Sequence, residues 1–260
     1  INLTGIVTAT ELDLNGKGDI SGDLNVVGVT TLRGLSIFGN TTGLQVASGI
    51  STFQALTATT GTFSSDSTIN GITVGKGANS VSENTTLGLD ALDASVTGNY
   101  NTAIGSHALT ELTTGEGNTG IGRQAGYNIT TGSNNTALGY NTLDEATTAS
   151  NNTAVGYIAL TANTSGQKNS ALGSGALSGN TTGSHNTAIG YESMDQNTDG
   201  TNNVAVGSQT LDANTSGTHN VAIGQDALGA NTTGGSNVAV GANALDANTT
   251  ASNNIAIGLG

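Results

Sequence analysis

The sequence predicts an all-β chain whose larger part is a parallel β-solenoid, a β-roll or β-helix of 17-residue coils. Three observations carry this prediction. The first is composition: the 260 residues include 40 Gly but no Pro, Cys or Trp, and only 9% are charged and 3% aromatic. Disordered chains are rich in Pro and charge, collagen needs Gly at every third position together with Pro, and an ordinary enzyme core draws on Phe, Trp and Met. A repetitive, β-rich structural protein remains. The second is a period: Gly88, Gly105, Gly122, Gly139, Gly156, Gly173, Gly190, Gly207, Gly224, Gly241 and Gly258 follow one another at steps of 17, without insertion or deletion. The third is the size of the unit. Seventeen residues are too few for a helix pair and suit one coil of a parallel solenoid.

Residues 1–83 form the first element, an irregular β-rich stalk. Gly5-Ile6-Val7-Thr8-Ala9, Gly28-Val29-Thr30-Thr31-Leu32, Gly49-Ile50-Ser51-Thr52-Phe53 and Gly71-Ile72-Thr73-Val74 recur at spacings of 23, 21 and 22. Alternation at Leu12 and Leu14, and at Leu24 and Val26, reads as short strands between Gly, Asn, Asp and Ser turns. Phe38, Phe53 and Phe63 are all the phenylalanines of the chain, and they are expected to pack a core or an axis rather than line a ligand site.

Residues 84–260 form the second element, eleven tandem copies with the last incomplete. Counted from the repeat glycine as position 0, Asn stands at −4 in every copy and an aliphatic residue at −1 in every copy. Position −2 is Ala in nine copies, +4 is Leu in eight of ten, and +10 is Gly in eight of ten. Asn186-Thr187-Ala188-Ile189-Gly190 reads as a short strand, Leu228 as part of a second strand, and Asn231-Thr232-Thr233-Gly234 as a turn. Stacked coils bring equivalent residues about 4.8 Å apart, where side-chain amides hydrogen-bond as a ladder. The expected ladder includes Asn101, Asn135, Asn152, Asn186 and Asn220, with Gly105, Gly139, Gly156, Gly190 and Gly224 marking bends or close backbone approaches. Ten steps make a rod roughly 50 Å long. The chain stops two residues after Gly258, in mid-repeat, which predicts that the array continues.

Two reliable aliphatic residues per coil make a thin core against the entropy of ordering seventeen residues. Strand alternation places the −1 aliphatic on one face and the −2 Ala and −4 Asn on the other, and that Ala/Asn face carries no charge in any copy. The expectation is that the Ala/Asn face packs against two further copies of the chain in a parallel homotrimer.

Five basic residues against 18 acidic ones give a net charge of −13. Nucleic-acid binding needs clustered Lys and Arg, and anionic lipid repels such a chain, so neither partner is expected. Nor is membrane insertion, since no apolar run approaches the length of a span. With no Cys there are no disulfides, thiolate metal sites or Cys nucleophiles, and no cofactor is expected. Asp93, Asp144, Asp195, Asp212 and Asp246 share position +5, a column read as a solvated turn because Thr, Ser, Tyr and Gly replace Asp elsewhere. That column and the scarcity of aromatic residues argue against an enzyme of the paired-carboxylate type. His185 and His219 share a column two coils apart, roughly 10 Å, too far for one metal ion. Tyr140, Tyr157 and Tyr191 occupy position +1. Their first reading is self-stacking on the rod surface, and their second is a contact for a glycan, assisted by Arg123 in the same column. Thr102, Thr119, Thr136, Thr153 and Thr187 give way to Val204, Val221, Val238 and Ile255 at −3, a column expected to be at least half-buried; on that ground an ice-binding Thr array ranks as a minor alternative.

The Asn-Thr-Ala-Ile-Gly runs resemble the head repeats of trimeric autotransporter adhesins, which are parallel β-rolls assembled as trimers from repeats shorter than these. Ser48-Gly49-Ile50-Ser51-Thr52-Phe53-Gln54-Ala55-Leu56-Thr57-Ala58-Thr59-Thr60-Gly61-Thr62-Phe63-Ser64, together with Gly28-Val29-Thr30-Thr31-Leu32, is similar to tail-fibre and structural proteins of marine cyanobacterial phages. The second resemblance implies a non-enzymatic shaft of a trimeric viral tail fibre. It would sit extracellularly in the virion, meet other tail proteins and serve host attachment. The first implies the alternative, a bacterial surface adhesin.

Overall fold

The computed structural model describes residues 66–69, 72–77, 79, 81 and 83–260. The expected strands before residue 66, and Phe38, Phe53 and Phe63, lie outside the described residues. The described part is one thirteen-stranded sheet whose strands lie side by side in chain order. It opens with β1 (Ser67–Ile69), β2 (Ile72–Gly75) and β3 (Thr85–Gly88). There follow β4 (Thr102–Ile104), β5 (Thr119–Ile121), β6 (Thr136–Leu138), β7 (Thr153–Val155) and β8 (Ser170–Leu172). The remainder are β9 (Thr187–Ile189), β10 (Val204–Val206), β11 (Val221–Ile223), β12 (Val238–Val240) and β13 (Ile255–Ile257).

From β3 to β13 every neighbouring pair is parallel and in register, Ala188 beside Ala205 and Ala205 beside Ala222, for example. Each coil therefore adds one short strand to the sheet, four residues in β3 and three in each later coil, and the architecture is a parallel β-solenoid of 17-residue coils. The sheet reaches further towards the N-terminus than Asn84. β1 and β2 pair antiparallel, and β2 pairs antiparallel with β3, setting Val74 against Leu87. This hairpin occupies the hydrogen-bonding edge of the first coil, which would otherwise stand open to another strand.

The second strand expected at Leu228 is absent. Leu228 lies in a turn with φ 53°, and its equivalents Leu143, Leu160, Leu177 and Leu211 share that left-handed conformation, at φ 53° in each. A left-handed leucine costs about 1–2 kcal/mol. Complete burial of its side chain contributes about 1.5–3 kcal/mol, and all five of these leucines are fully buried. A tight turn that aims Leu inward is thus favoured over an extended segment in so short a coil.

The direction of the strand faces reverses the expectation. The −2 alanines, Ala103, Ala137, Ala154, Ala171, Ala188, Ala205, Ala222 and Ala239, are all buried within their own chain. The −4 asparagines are buried beside them, from Asn84 to Asn237. The Ala/Asn face is therefore the interior of the solenoid and is not the surface offered to other copies. Space explains the choice. At Gly120, which replaces Ala in the −2 column, an added Cβ would lie 2.9 Å from Leu109 Cγ and 2.9 Å from the Ala125 carbonyl oxygen. Even a methyl there needs a small shift, and the −2 column holds only Gly, Ala and, in the first coil, the buried Thr86, so the larger aliphatic residue at −1 points out.

Candidate functional site

Two kinds of feature stand out: ladders that run inside the rod, and columns of side chains that it presents outward. The −4 asparagines form a continuous interior ladder, whose unbroken bond runs from backbone N–H to side-chain Oδ1; the expected amide-to-amide bonds occur in some coils only. The backbone N–H of Asn101 donates to Asn84 Oδ1 at 2.8 Å, that of Asn152 to Asn135 Oδ1 at 3.0 Å, and that of Asn186 to Asn169 Oδ1 at 2.9 Å. Asn135 and Asn220 repeat the bond to Asn118 and Asn203 at 3.0 and 2.9 Å. Each amide then donates to a carbonyl fourteen residues on, as Asn186 Nδ2 does to Gly200 O at 2.8 Å. Inside a rod these bonds satisfy groups that would cost about 1–3 kcal/mol each if left unpaired.

Gly105, Gly139, Gly156, Gly190 and Gly224 lie at φ between 127° and 138°, where side chains are rarely accommodated. A Cβ on Gly156 would also run into the carbonyl of Gly173 in the next coil. These glycines combine a bend with a close approach.

A second ladder, not among the expected ones, runs at +7. Asn163, Asn180, Asn197, Asn214, Asn231 and Asn248 occupy position +7 in six successive coils. Asn180 Nδ2 donates to Asn163 Oδ1 and Asn197 Nδ2 to Asn180 Oδ1, both at 2.7 Å, and Asn214 continues at 2.8 Å. The same column holds the buried apolar residues Leu112, Ile129 and Ala146 in earlier coils. Aligning every column of the repeat, rather than the glycine motif alone, would have shown the run of Asn.

Outward, the sheet presents two columns. The −1 column is half-buried to exposed throughout, with Leu172 51% exposed, and the −3 column runs from Thr102 through Ser170 to Val238 with the same partial exposure. From Thr85 to Ile257 neither column contains a charged residue. The result is a flat, uncharged, largely aliphatic strip along the rod.

The +1 column lies one residue past the glycine bend. Tyr140 and Tyr157 stack with centroids 5.7 Å apart and planes 9° from parallel. Arg123 Nη1 donates to the Tyr140 hydroxyl at 2.8 Å, and the guanidinium carbon stands 5.2 Å from the Tyr140 ring centroid. Tyr191 is exposed two coils beyond Tyr157, with Ser174 between them in the column. Glu192 beside it holds the Tyr191 hydroxyl above its usual pKa, chiefly by a side-chain hydrogen bond.

The +5 carboxylates are not uniformly solvated. Asp93 and Asp246 are exposed, whereas Asp144, Asp195 and Asp212 are half-buried. Burial is the main cause of the raised pKa of Asp144 and of Asp212. Asp144 Oδ1 is buried without a hydrogen-bond partner. His107 lies 3.4 Å from Asp90 Oδ2, while His185 and His219 are exposed on separate coils. Among the described residues no group of three or more His, Cys, Asp or Glu could hold a metal ion, and no helix is long and apolar enough to cross a membrane. Compared with known proteins, the chain matches no family model, no curated protein and no solved structure.

Proposed function

We propose that this chain is the non-enzymatic structural shaft of a trimeric fibre, of the kind that viral tails use in host attachment. The observation that carries the reading is the outward strip at −1 and −3. A chain of net charge −13 repels its own copies except where charge is missing, and this strip is uncharged through eleven coils. An exposed aliphatic strip roughly 50 Å long also exceeds the scattered apolar residues expected on the surface of a monomer. Two further copies, each presenting the same strip to a shared axis, would cover it completely. The interface thus falls on the face opposite to the one expected from alternation alone. Extracellular exposure on a virion, with other tail proteins at the ends of the shaft, follows from this reading.

The test is solution mass by light scattering at several concentrations. Three chains of 25.4 kDa give about 76 kDa (3 × 25.4). A concentration-independent value there, falling to the single-chain mass in the double variant Leu172→Glu, Ile189→Glu, supports the shaft. A folded single-chain species of the unaltered protein overturns it. The trimeric surface adhesin shares this assembly and differs in that the rod itself binds a host surface. A second reading draws on a different observation. The −3 threonines face outward at about one per coil, but the column is half-buried in most coils, as expected, with Thr153 exposed, and Val occupies it from Val204 to Val238. Thermal hysteresis in a monomeric sample would favour that reading.

A further inference from the structure

The tyrosine column leaves a gap between the exposed Tyr157 and Tyr191, while both faces of Tyr140 are occupied. Tyr140 is covered on one side by the Arg123 guanidinium and on the other by Tyr157. Tyr157 spends one face on Tyr140. Its other face looks along the rod towards the next +1 residue, which is Ser174, and Ser174 is too small to fill the space. One coil further stands Tyr191. Two coil steps separate Tyr157 from Tyr191 by roughly 10 Å. Direct ring-to-ring contact ends at about 7 Å, so the two rings cannot touch each other. They are 55% and 53% exposed, and nothing in their column lies between them but a hydroxymethyl group.

We propose that this notch over Ser174, walled by Tyr157 and Tyr191, binds one pyranose ring of a neutral, β-linked, all-equatorial glycan. A sugar ring packs on an aromatic face through its axial C–H bonds. A ring held between two aromatic walls needs unobstructed axial hydrogens on both faces, which a β-gluco-configured pyranose has, whereas a galacto-configured one carries an axial O4 in place of one of them. The equatorial hydroxyls then project from the rim. There the Ser174 hydroxyl and the Glu192 carboxylate, itself held by Gln209 Nε2 at 3.3 Å, are placed to meet them. The Glu192 and Asp195 charges near Tyr191 disfavour an acidic sugar. The site requires neither the trimer nor the fibre reading, since the Gly156 and Gly190 bends separate the +1 column from the outward strip.

The experiment follows fluorescein-labelled cellotetraose by anisotropy on the whole chain. Tyr157→Ala and Tyr191→Ala are each expected to weaken binding about tenfold, the loss of one stacking wall. Tyr140→Ala, whose ring faces are already occupied, should leave affinity within about threefold. Ser174→Tyr should abolish binding with the circular dichroism unchanged, because Tyr already occupies that column in three coils. If Ser174→Tyr fails to fold, the contrast between Tyr191→Ala and Tyr140→Ala decides alone. β-1,4-Galactotetraose should compete poorly. Absence of saturable binding, full binding by a folded Ser174→Tyr variant, or equal losses in Tyr140→Ala and Tyr191→Ala would each overturn the proposal.

Discussion

Asn169 and Asn180 donate their side-chain amides to the same oxygen, the carbonyl of Gly183, at 2.8 and 3.1 Å. The pattern repeats where Asn186 and Asn197 meet at Gly200 O, and where Asn220 and Asn231 meet at Gly234 O. The two ladders are therefore one network, joined once per coil, and both lone pairs of the shared carbonyl are used.

Removing one rung should cost more than one ordinary hydrogen bond. Asn197→Leu deletes the donor to Asn180 Oδ1 and the donor to Gly200 O. It also strips the acceptor that Asn214 uses. Stranding buried polar groups costs about 1–3 kcal/mol each, so a loss at the upper end of that range or beyond is expected in urea denaturation. Leu in this column is accommodated at Leu112, so size is not the cause.

The repeat glycine and the glycine two residues on should respond differently. Gly156→Ala places a Cβ at φ 136° and against the Gly173 carbonyl, and it should destabilise by about 3 kcal/mol or prevent folding. Gly175 lies at φ 72°, in a column where Asn141 and Asn243 adopt φ 52° and 57°. Gly175→Asn therefore avoids the backbone strain and, with Glu192 Cγ 3.2 Å from the new Cβ, is expected to cost about 1 kcal/mol, well below Gly156→Ala, in the same assay.

Inward and outward substitutions in one strand should separate folding from assembly. Ala188→Leu overfills the interior and should cost about 1–3 kcal/mol or more in denaturant. Ile189→Ser, one residue away and facing out, should keep the circular dichroism of the coil, and on the trimeric reading proposed above the solution mass should fall. If both variants lose the fold together, the orientation of β9 is wrong.

Acid should stabilise two of the carboxylates rather than weaken them. Burial raises the folded-state pKa of Asp144 and Asp212 above the usual 3.8. A group raised in this way binds its proton more readily when folded, so its contribution is fully present below pH 3.8 and is lost as pH climbs through the raised value. Asp144→Asn keeps the neutral form at every pH. Its melting temperature is expected to exceed that of the unaltered chain at pH 7 and to converge with it near pH 3. A gap that widens towards acid would refute the assignment.

Much of this architecture is written in the spacing. Seventeen-residue steps without a gap dictate parallel, in-register strands, and an invariant Asn beside an Ala dictates where a ladder runs. The sense of the strand was harder to read, because Ile189 is more apolar than Ala188 and Asn186 and the usual partition sends it inside. What overrides that rule is the inward leucine of the turn, which leaves room at −2 for a small residue such as Ala. That leucine was itself hidden, because a branched side chain at positive φ has no sequence signature and Leu228 looks like a strand residue. The tyrosine stack could be placed by counting, whereas the open ring faces depended on Arg123 and Ser174 at its two ends.

The strands lie across the rod and their hydrogen bonds run along it, from Thr187 N–H to Asn203 O at 2.8 Å and onward coil by coil. A force pulling the two ends apart would load these bonds in sequence rather than all together, peeling one coil while the next still holds. Each coil would release about 50 Å of slack, the contour of seventeen extended residues less one coil spacing. Under tension such a rod would lengthen in equal steps before it broke, acting as a shock absorber between whatever is fixed at its ends.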